Sequence, residues 1–204
     1  MLTPPPRPPS LLTTQKVLRA AQILGIPVVA TTQKARRLGG IVPELQPLLE
    51  KLTVLEVDKT LFSMLTPEVL SHELFSPSSA SASFTSAETS ISTLSASSPP
   101  PPRDVVIVGI ESHICVTQTV VDLLARGHRV RVLADGVSSC HPEEVPLALA
   151  RLRADGAVVT SSESWLYETM GDADVPEFRD IARIVRESSA NTKSSLAALL
   201  SSKI

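Results

Sequence analysis

Residues 105–110, VVIVGI, constrain the fold more than any other stretch of the chain. A half-buried strand alternates apolar and polar residues, whereas this run has no polar position. It therefore predicts a strand covered on both faces, as in a parallel sheet. HICVTQTVVDLLARGH follows at once and reads as a helix stopping at Gly127. The unit then repeats: RVRVLADGV is a strand, EEVPLALARLRADG a helix, AVVTSS a strand, and ESWLYETM and VPEFRDIARIVRES are helices. Upstream, QKVLRAAQILGI places Val17, Leu18, Ala21, Ile23 and Leu24 at helical spacing before Gly25. IPVVATT is a strand, QKARRLGG a loop, PELQPLLEKL a helix and VLEV (residues 54–57) a second strand. DKTLFSM is a loop, and TPEVLSHELF is a helix with Thr66 as its N-cap and proline at its first position. Strand–helix alternation of this kind predicts an α/β fold, a three-layer α/β/α sandwich around a parallel sheet. In such sheets the reactive residues gather at the carboxyl ends of the strands.

Three segments fall outside that rhythm. Residues 1–13 are rich in proline and are expected to be disordered. Residues 76–103 form a Ser/Pro-rich insertion, also expected to be disordered, because so few apolar side chains cannot offset the entropy of ordering it. Residues 188–204 read as a C-terminal tail, which leaves 14–187 as the folded domain. Apolar residues make up 43% of the 204 and aromatics 3%, so the core must be built from Val, Leu, Ile and Ala. A net charge of −2 gives no electrostatic reason to expect nucleic acid or an anionic membrane as partner. No run approaches the roughly 20 apolar residues of a membrane-spanning helix. The default compartment is cytoplasmic. The C-terminal Ser-Lys-Ile is close to the peroxisomal Ser-Lys-Leu, and the N-terminus has no acid before Glu44, so peroxisomal and mitochondrial addresses stay open.

The chain has two cysteines, too few for a disulfide scaffold. Cys140 lies in SSCH, a loop after a strand, and reads as incidental. Cys115 sits where the buried strand turns into a helix. On spacing alone it is equally a small apolar residue packing that corner and a nucleophile. A thiolate there would face the positive end of the helix macrodipole, and a lysine ammonium nearby would stabilise it further. His113, His141 and Asp135 lack ligand-type spacing, so no metal and no cofactor are assigned. Asp135 ends a strand at the same sheet edge and reads as a cap for the following loop. Trp165 and Tyr167 are expected to pack a helix.

The stretch from Val105 to Glu163 resembles the isochorismatase-like cysteine hydrolases, and is most similar to the branch called isochorismatase domain-containing proteins. The resemblance rests on Gly109-Ile110-Glu111-Ser112-His113-Ile114-Cys115-Val116 after a buried strand, and on VDKTLFSM, a lysine before a Phe-Ser segment. It implies that Cys115 is the nucleophile and Lys59 its supporting cation. It also implies that the backbone amides of Glu111 and Cys115 form an oxyanion hole, and that the Ile110–Glu111 peptide is cis. Small amides, carbamoyl groups or a vinyl ether are the implied substrates, and association into homo-oligomers is expected.

One part of the pattern is missing. The resemblance implies a first, central strand ending in a catalytic aspartate, but MLTPPPRPPSLL contains no aspartate and no β-branched run, and prolines do not suit a central strand. The expectation is a sheet without its first central strand, a chain that is the truncated product of a gene, and hydrolysis impaired by the loss of a general base worth about 10²–10⁴ in rate. Glu111, in the nucleophile turn, and Asp58, just before the lysine, are the candidates to replace that base, but neither comes from the right direction. Whether the chain is an enzyme is thus left open, with a non-catalytic role in oligomer contacts or small-molecule binding as the alternative.

Overall fold

The computed structural model describes residues 9–76 and 101–201; the core of the Ser/Pro-rich insertion, the first eight residues and the Ser-Lys-Ile end lie outside the described residues. The elements run α1 (Pro9–Leu24), β1 (Val28–Gln33), α2 (Ala35–Leu38), α3 (Gln46–Leu52), β2 (Thr53–Lys59), α4 (Pro67–Ser71), β3 (Asp104–Ile110), a π-helical turn (Ser112–Val116), α5 (Thr117–Ala125), β4 (Arg129–Ser138), α6 (Glu144–Ala154), β5 (Val158–Thr160), α7 (Ser162–Met170) and α8 (Phe178–Ser201). All strand pairings are parallel, and helices cover both faces. The fold is α/β, as the alternation predicts.

The strands form two sheets. β1 pairs with β2, and β3-β4-β5 form the other sheet; among the described residues no ladder joins β1 to β3. The expected loss of a central strand is therefore met by a gap, which the flanking strands do not close. The gap also corrects the burial expected for VVIVGI. Only Ile107 is fully buried, while Val105, Val106 and Val108 remain partly exposed because one edge of β3 borders the gap.

The packing on the two faces of β3 is continuous all the same. On one face Ile107 joins Val69, Val120, Leu123, Val132 and Leu152, from α4, α5, β4 and α6. On the other, Val17, Trp165, Leu166, Ile181 and Val185 pack with Val106 and Val108, bringing α1, α7 and α8 together. Leu18, Ala30 and Leu49 make a third, small cluster beneath β1.

The ends of the chain differ from expectation. α1 begins at Pro9 rather than near residue 14, since proline is tolerated in a first helical turn, where its missing N–H has no partner to lose. α8 continues past residue 187 to Ser201, because its later turns have a partner in α1. Arg19 pairs with Glu187 at 2.8 Å, Asn191 donates to Thr13 Oγ1, and the buried Lys16 Nζ donates to Thr192 Oγ1 at 2.8 Å. Thr66 accepts from the Val69 N–H, as an N-cap should, but α4 stops at Ser71. No helix among the described residues is long and apolar enough to cross a membrane.

Candidate active site

β3 ends at Ile110, the Ile110–Glu111 peptide bond is cis, and the π-helical turn that follows carries Cys115. The turn is fastened from inside. Ile114 N–H and Val116 N–H both donate to Glu111 O, and Thr117 Oγ1 donates to Ser112 O at 2.7 Å. It is fastened from the loop just past β4 as well: Ser112 N–H donates to Ser139 Oγ at 3.1 Å, their two hydroxyls are hydrogen-bonded, and His113 Nδ1 lies 3.0 Å from the same oxygen. A π-helical turn was not foreseen. A continuous helix from residue 113 satisfies the apolar periodicity equally well, and the extra residue becomes visible only in the backbone hydrogen bonds.

Lys59 closes β2, and its ammonium lies 3.8 Å from Cys115 Sγ. The lysine is 4% exposed, whereas Cys115 is half-buried and reachable. Three oxygens fix the ammonium: Gln33 Oε1 at 2.6 Å, Leu61 O at 2.9 Å and Phe62 O at 2.9 Å. The sulfur is a fourth, longer partner, within reach of an N–H···S hydrogen bond from the same ammonium. Burial draws the Lys59 pKa below the usual lysine range, against the opposing pull of the neighbouring sulfur and of Asp58. Thr119 ties the two sides together: its hydroxyl donates to Cys115 O at 2.6 Å and accepts from Met64 N–H at 2.9 Å. Gln33, Ser139 and Thr119 are polar residues with no distinctive spacing, and only the fold shows their place here.

The two candidate substitutes for a general base are engaged elsewhere. Glu111 Oε2 accepts from Cys140 N–H at 2.6 Å, and Asp58 Oδ1 accepts from Thr32 Oγ1 and Ala35 N–H. Cys140 is exposed. Asp135 does not cap its own loop. It is 2% exposed, accepts from both the N–H and the hydroxyl of Ser162 at the start of α7, and lies 3.8 Å from Lys16 Nζ. Trp165 is buried in the α1–α7–α8 core, while Tyr167 is 41% exposed with its ring 6.5 Å from Phe178. Among the described residues no group of three His, Cys, Asp or Glu side chains is placed to hold a metal ion.

The sequence matches the isochorismatase domain over residues 2–164. The chain belongs to the isochorismatase domain family. A relative in Phytophthora sojae, the secreted isochorismatase effector Isc1, is 37% identical over 175 residues, covering 85% of this chain and 73% of that one. Isochorismatase domain-containing protein 1 of Salmo salar is 36% identical over 174 residues, covering 85% of this chain, which spans only 52% of the salmon protein. Among solved structures, the MAR1 ribonuclease of Caenorhabditis elegans superposes with a TM-score of 0.70 at 31% identity, covering 87% of this chain and 79% of that one. Isochorismatase-like hydrolases thus share both the sequence and the α/β architecture of this chain.

Proposed function

We propose that this member of the isochorismatase family is a cysteine hydrolase of small amide-type substrates, with Cys115 as nucleophile, and that its turnover is slow. The observation that carries this is the 3.8 Å approach of the buried Lys59 ammonium to the half-exposed Cys115 sulfur. A cation there favours the thiolate, the form that attacks carbonyl carbon. In the first step the Sγ–C bond forms and the carbonyl π pair moves to oxygen, where the amides of Glu111 and Cys115 receive the negative charge. Collapse of the tetrahedral species breaks the C–N bond, and the amine leaves with a proton from water. Water then attacks the thioester, the C–S bond breaks, and the thiolate returns. Both later steps need a proton relay. Among the described residues the nearby carboxylates, Glu111 and Asp58, are committed to other donors, so with an amide both proton-dependent steps are slow, and with a leaving group that needs no proton only deacylation is. The ribonuclease activity named for the worm relative would call for a basic surface, which a net charge of −2 does not favour.

An activated ester separates the steps, because its leaving group needs no proton. With p-nitrophenyl acetate the full chain should release one equivalent of nitrophenolate in a burst and then stall, with the acetyl group on the Cys115 peptide. Cys115→Ala should abolish the burst. Acetylation spread evenly over Cys115 and Cys140, or no burst at all, would overturn the nucleophile assignment and favour a non-catalytic member that binds small molecules or associates with other subunits.

A further inference from the structure

One oxygen beside the nucleophile turn has its whole hydrogen-bonding capacity spent. Ser139 Oγ accepts the Ser112 N–H at 3.1 Å, is hydrogen-bonded to Ser112 Oγ and lies 3.0 Å from His113 Nδ1. A hydroxyl has one proton to give and two lone pairs with which to receive. The amide takes one lone pair. Of the two remaining partners, one must donate to Ser139 and the other must accept its proton. Burial decides which. Ser112 is 0% exposed, and among the described residues its hydroxyl has no partner except Ser139. If Ser139 gave its proton to Ser112, the proton of Ser112 would be enclosed with nothing to receive it, the costly case for a buried donor.

We infer that Ser139 and His113 are positioning residues of the nucleophile turn, joined by hydrogen bonds that run one way, from Ser112 Oγ–H to Ser139 Oγ and from Ser139 Oγ–H to His113 Nδ1. His113 Nδ1 then carries no proton, and the proton of the ring sits on Nε2. A ring in that state has no charge, which leaves the Lys59 ammonium as the cation acting on Cys115 Sγ. The relay needs a fixed centre, and the residues on both sides of Ser139 are tied down. Ser138 Oγ is hydrogen-bonded to Ser10 Oγ of α1 at 3.1 Å, and Cys140 N–H donates to Glu111 Oε2 at 2.6 Å. His113 is partly buried, two positions before Cys115 in the same π-helical turn. Without an acceptor at Nδ1 the Ser139 proton loses its receiver, and the turn loses the one direction in which every proton is placed. What the positioning serves rests on the reading of Cys115 as nucleophile; the direction of the protons does not.

The direction is read by nitrogen NMR of the imidazoles in the isotope-labelled full chain. In the neutral ring, His113 should show a bare Nδ1 and a protonated Nε2. In Ser112→Ala the buried hydroxyl that forbids the reverse direction is gone. The form with its proton on Nδ1, held down about tenfold in the natural chain by that hydroxyl, should therefore grow several-fold. His128, whose Nδ1 accepts from Arg103 N–H, should keep a bare Nδ1 in both chains and serves as the control. The positioning is read by iodoacetamide labelling of Cys115. His113→Leu, which has no acceptor, should slow it by about fivefold, the effect of losing one hydrogen bond. His113→Asn, whose Oδ1 can stand where Nδ1 stood, should recover most of that loss. A proton on Nδ1 in the natural chain, equal tautomer populations in the natural chain and Ser112→Ala, or His113→Leu labelling at the natural rate would each overturn the proposal. If a variant does not fold, the Nδ1 signal of the natural chain still decides. The nitrophenolate burst can fail without moving the His113 signals, so failure of the hydrolase reading and failure of this one stay distinct.

Discussion

The three-stranded sheet and the two-stranded sheet solve the same problem unequally. β3-β4-β5 lies between helical layers, and β4 buries Val130, Val132, Leu133 and Val137 at 4% exposure or less. β2 alternates instead: Val54, Glu56 and Asp58 are exposed, and beneath β1 only Ala30, Leu18 and Leu49 make a cluster. A two-stranded sheet has little stability of its own, so β1-β2 depends on α1 and α3 on one side and, through Val29, Leu55 and Val57, on the margin of the main core. Yet the candidate site takes its thiol from one sheet and its cation from the other. Across that division the alignment of Lys59 with Cys115 depends on the 60–66 loop and on Thr119, not on a strand ladder.

That contrast can be tested, beginning with the largest effect. Leu152→Ala, at a site with 0% exposure in the main core, should destabilise the protein by about 2–5 kcal/mol in urea unfolding. Leu49→Ala, in the small cluster, should fall at or below the low end of that range. Equal losses would mean that the two sheets share one cooperative core. Next in size, Lys59→Met should slow iodoacetamide labelling of Cys115 at neutral pH by about tenfold, equivalent to 1.4 kcal/mol. An unchanged rate would show that the ammonium does not act on the sulfur across the divide.

Thr119→Val is a gentler cut through the same link. Losing one hydrogen-bonded bridge should cost about 1 kcal/mol of stability and slow Cys115 labelling several-fold, with Cys140 labelling as the internal control; a rate equal to that of the natural chain would place the coupling in the 60–66 loop alone. The smallest effect concerns the base of the larger sheet. His128 is 4% exposed and accepts from Arg103 N–H at 3.1 Å, and burial, with Arg126 and Arg103 close by, lowers its pKa below 6.5. The unfolded chain therefore binds this proton more readily, so the contribution of His128 is complete above about pH 6.5 and is lost as the pH falls through the lower folded value. Tm should drop on acidification through that window, and His128→Asn, which keeps an acceptor but does not titrate, should flatten the slope.

Much of this was legible in one dimension. The continuous apolar runs and the glycines ending α1 and α5 marked the strand–helix alternation, and the glycine–cysteine turn and the lysine loop singled out the two residues, Cys115 and Lys59, that the fold brings to 3.8 Å. Other features were not legible, for identifiable reasons. Residues 1–13 read as too proline-rich for a helix, yet α1, which begins at Pro9, has only that one proline, the first turn tolerates it, and the stabilising partner, α8, lies about 180 residues away. Lys16 and Asp135 carry no signal of proximity in sequence, although they are buried together at 3.8 Å. The commitment of Glu111 to Cys140 N–H likewise depends on where the β4 loop lands.

Local chemistry written into the order of residues determined which segments become strands and helices, and that a thiol would stand at a strand's carboxyl end. Backbone preference and apolar periodicity act over a few residues, so they can be read without a fold. Whether two strands pair, which carboxylate meets which donor, and whether a lysine from one sheet reaches a sulfur on another are questions of long-range packing. Here the tertiary structure decided them by leaving a strand-wide opening between β1 and β3 while the 60–66 loop and Thr119 bring Lys59 to Cys115 on the other side of it.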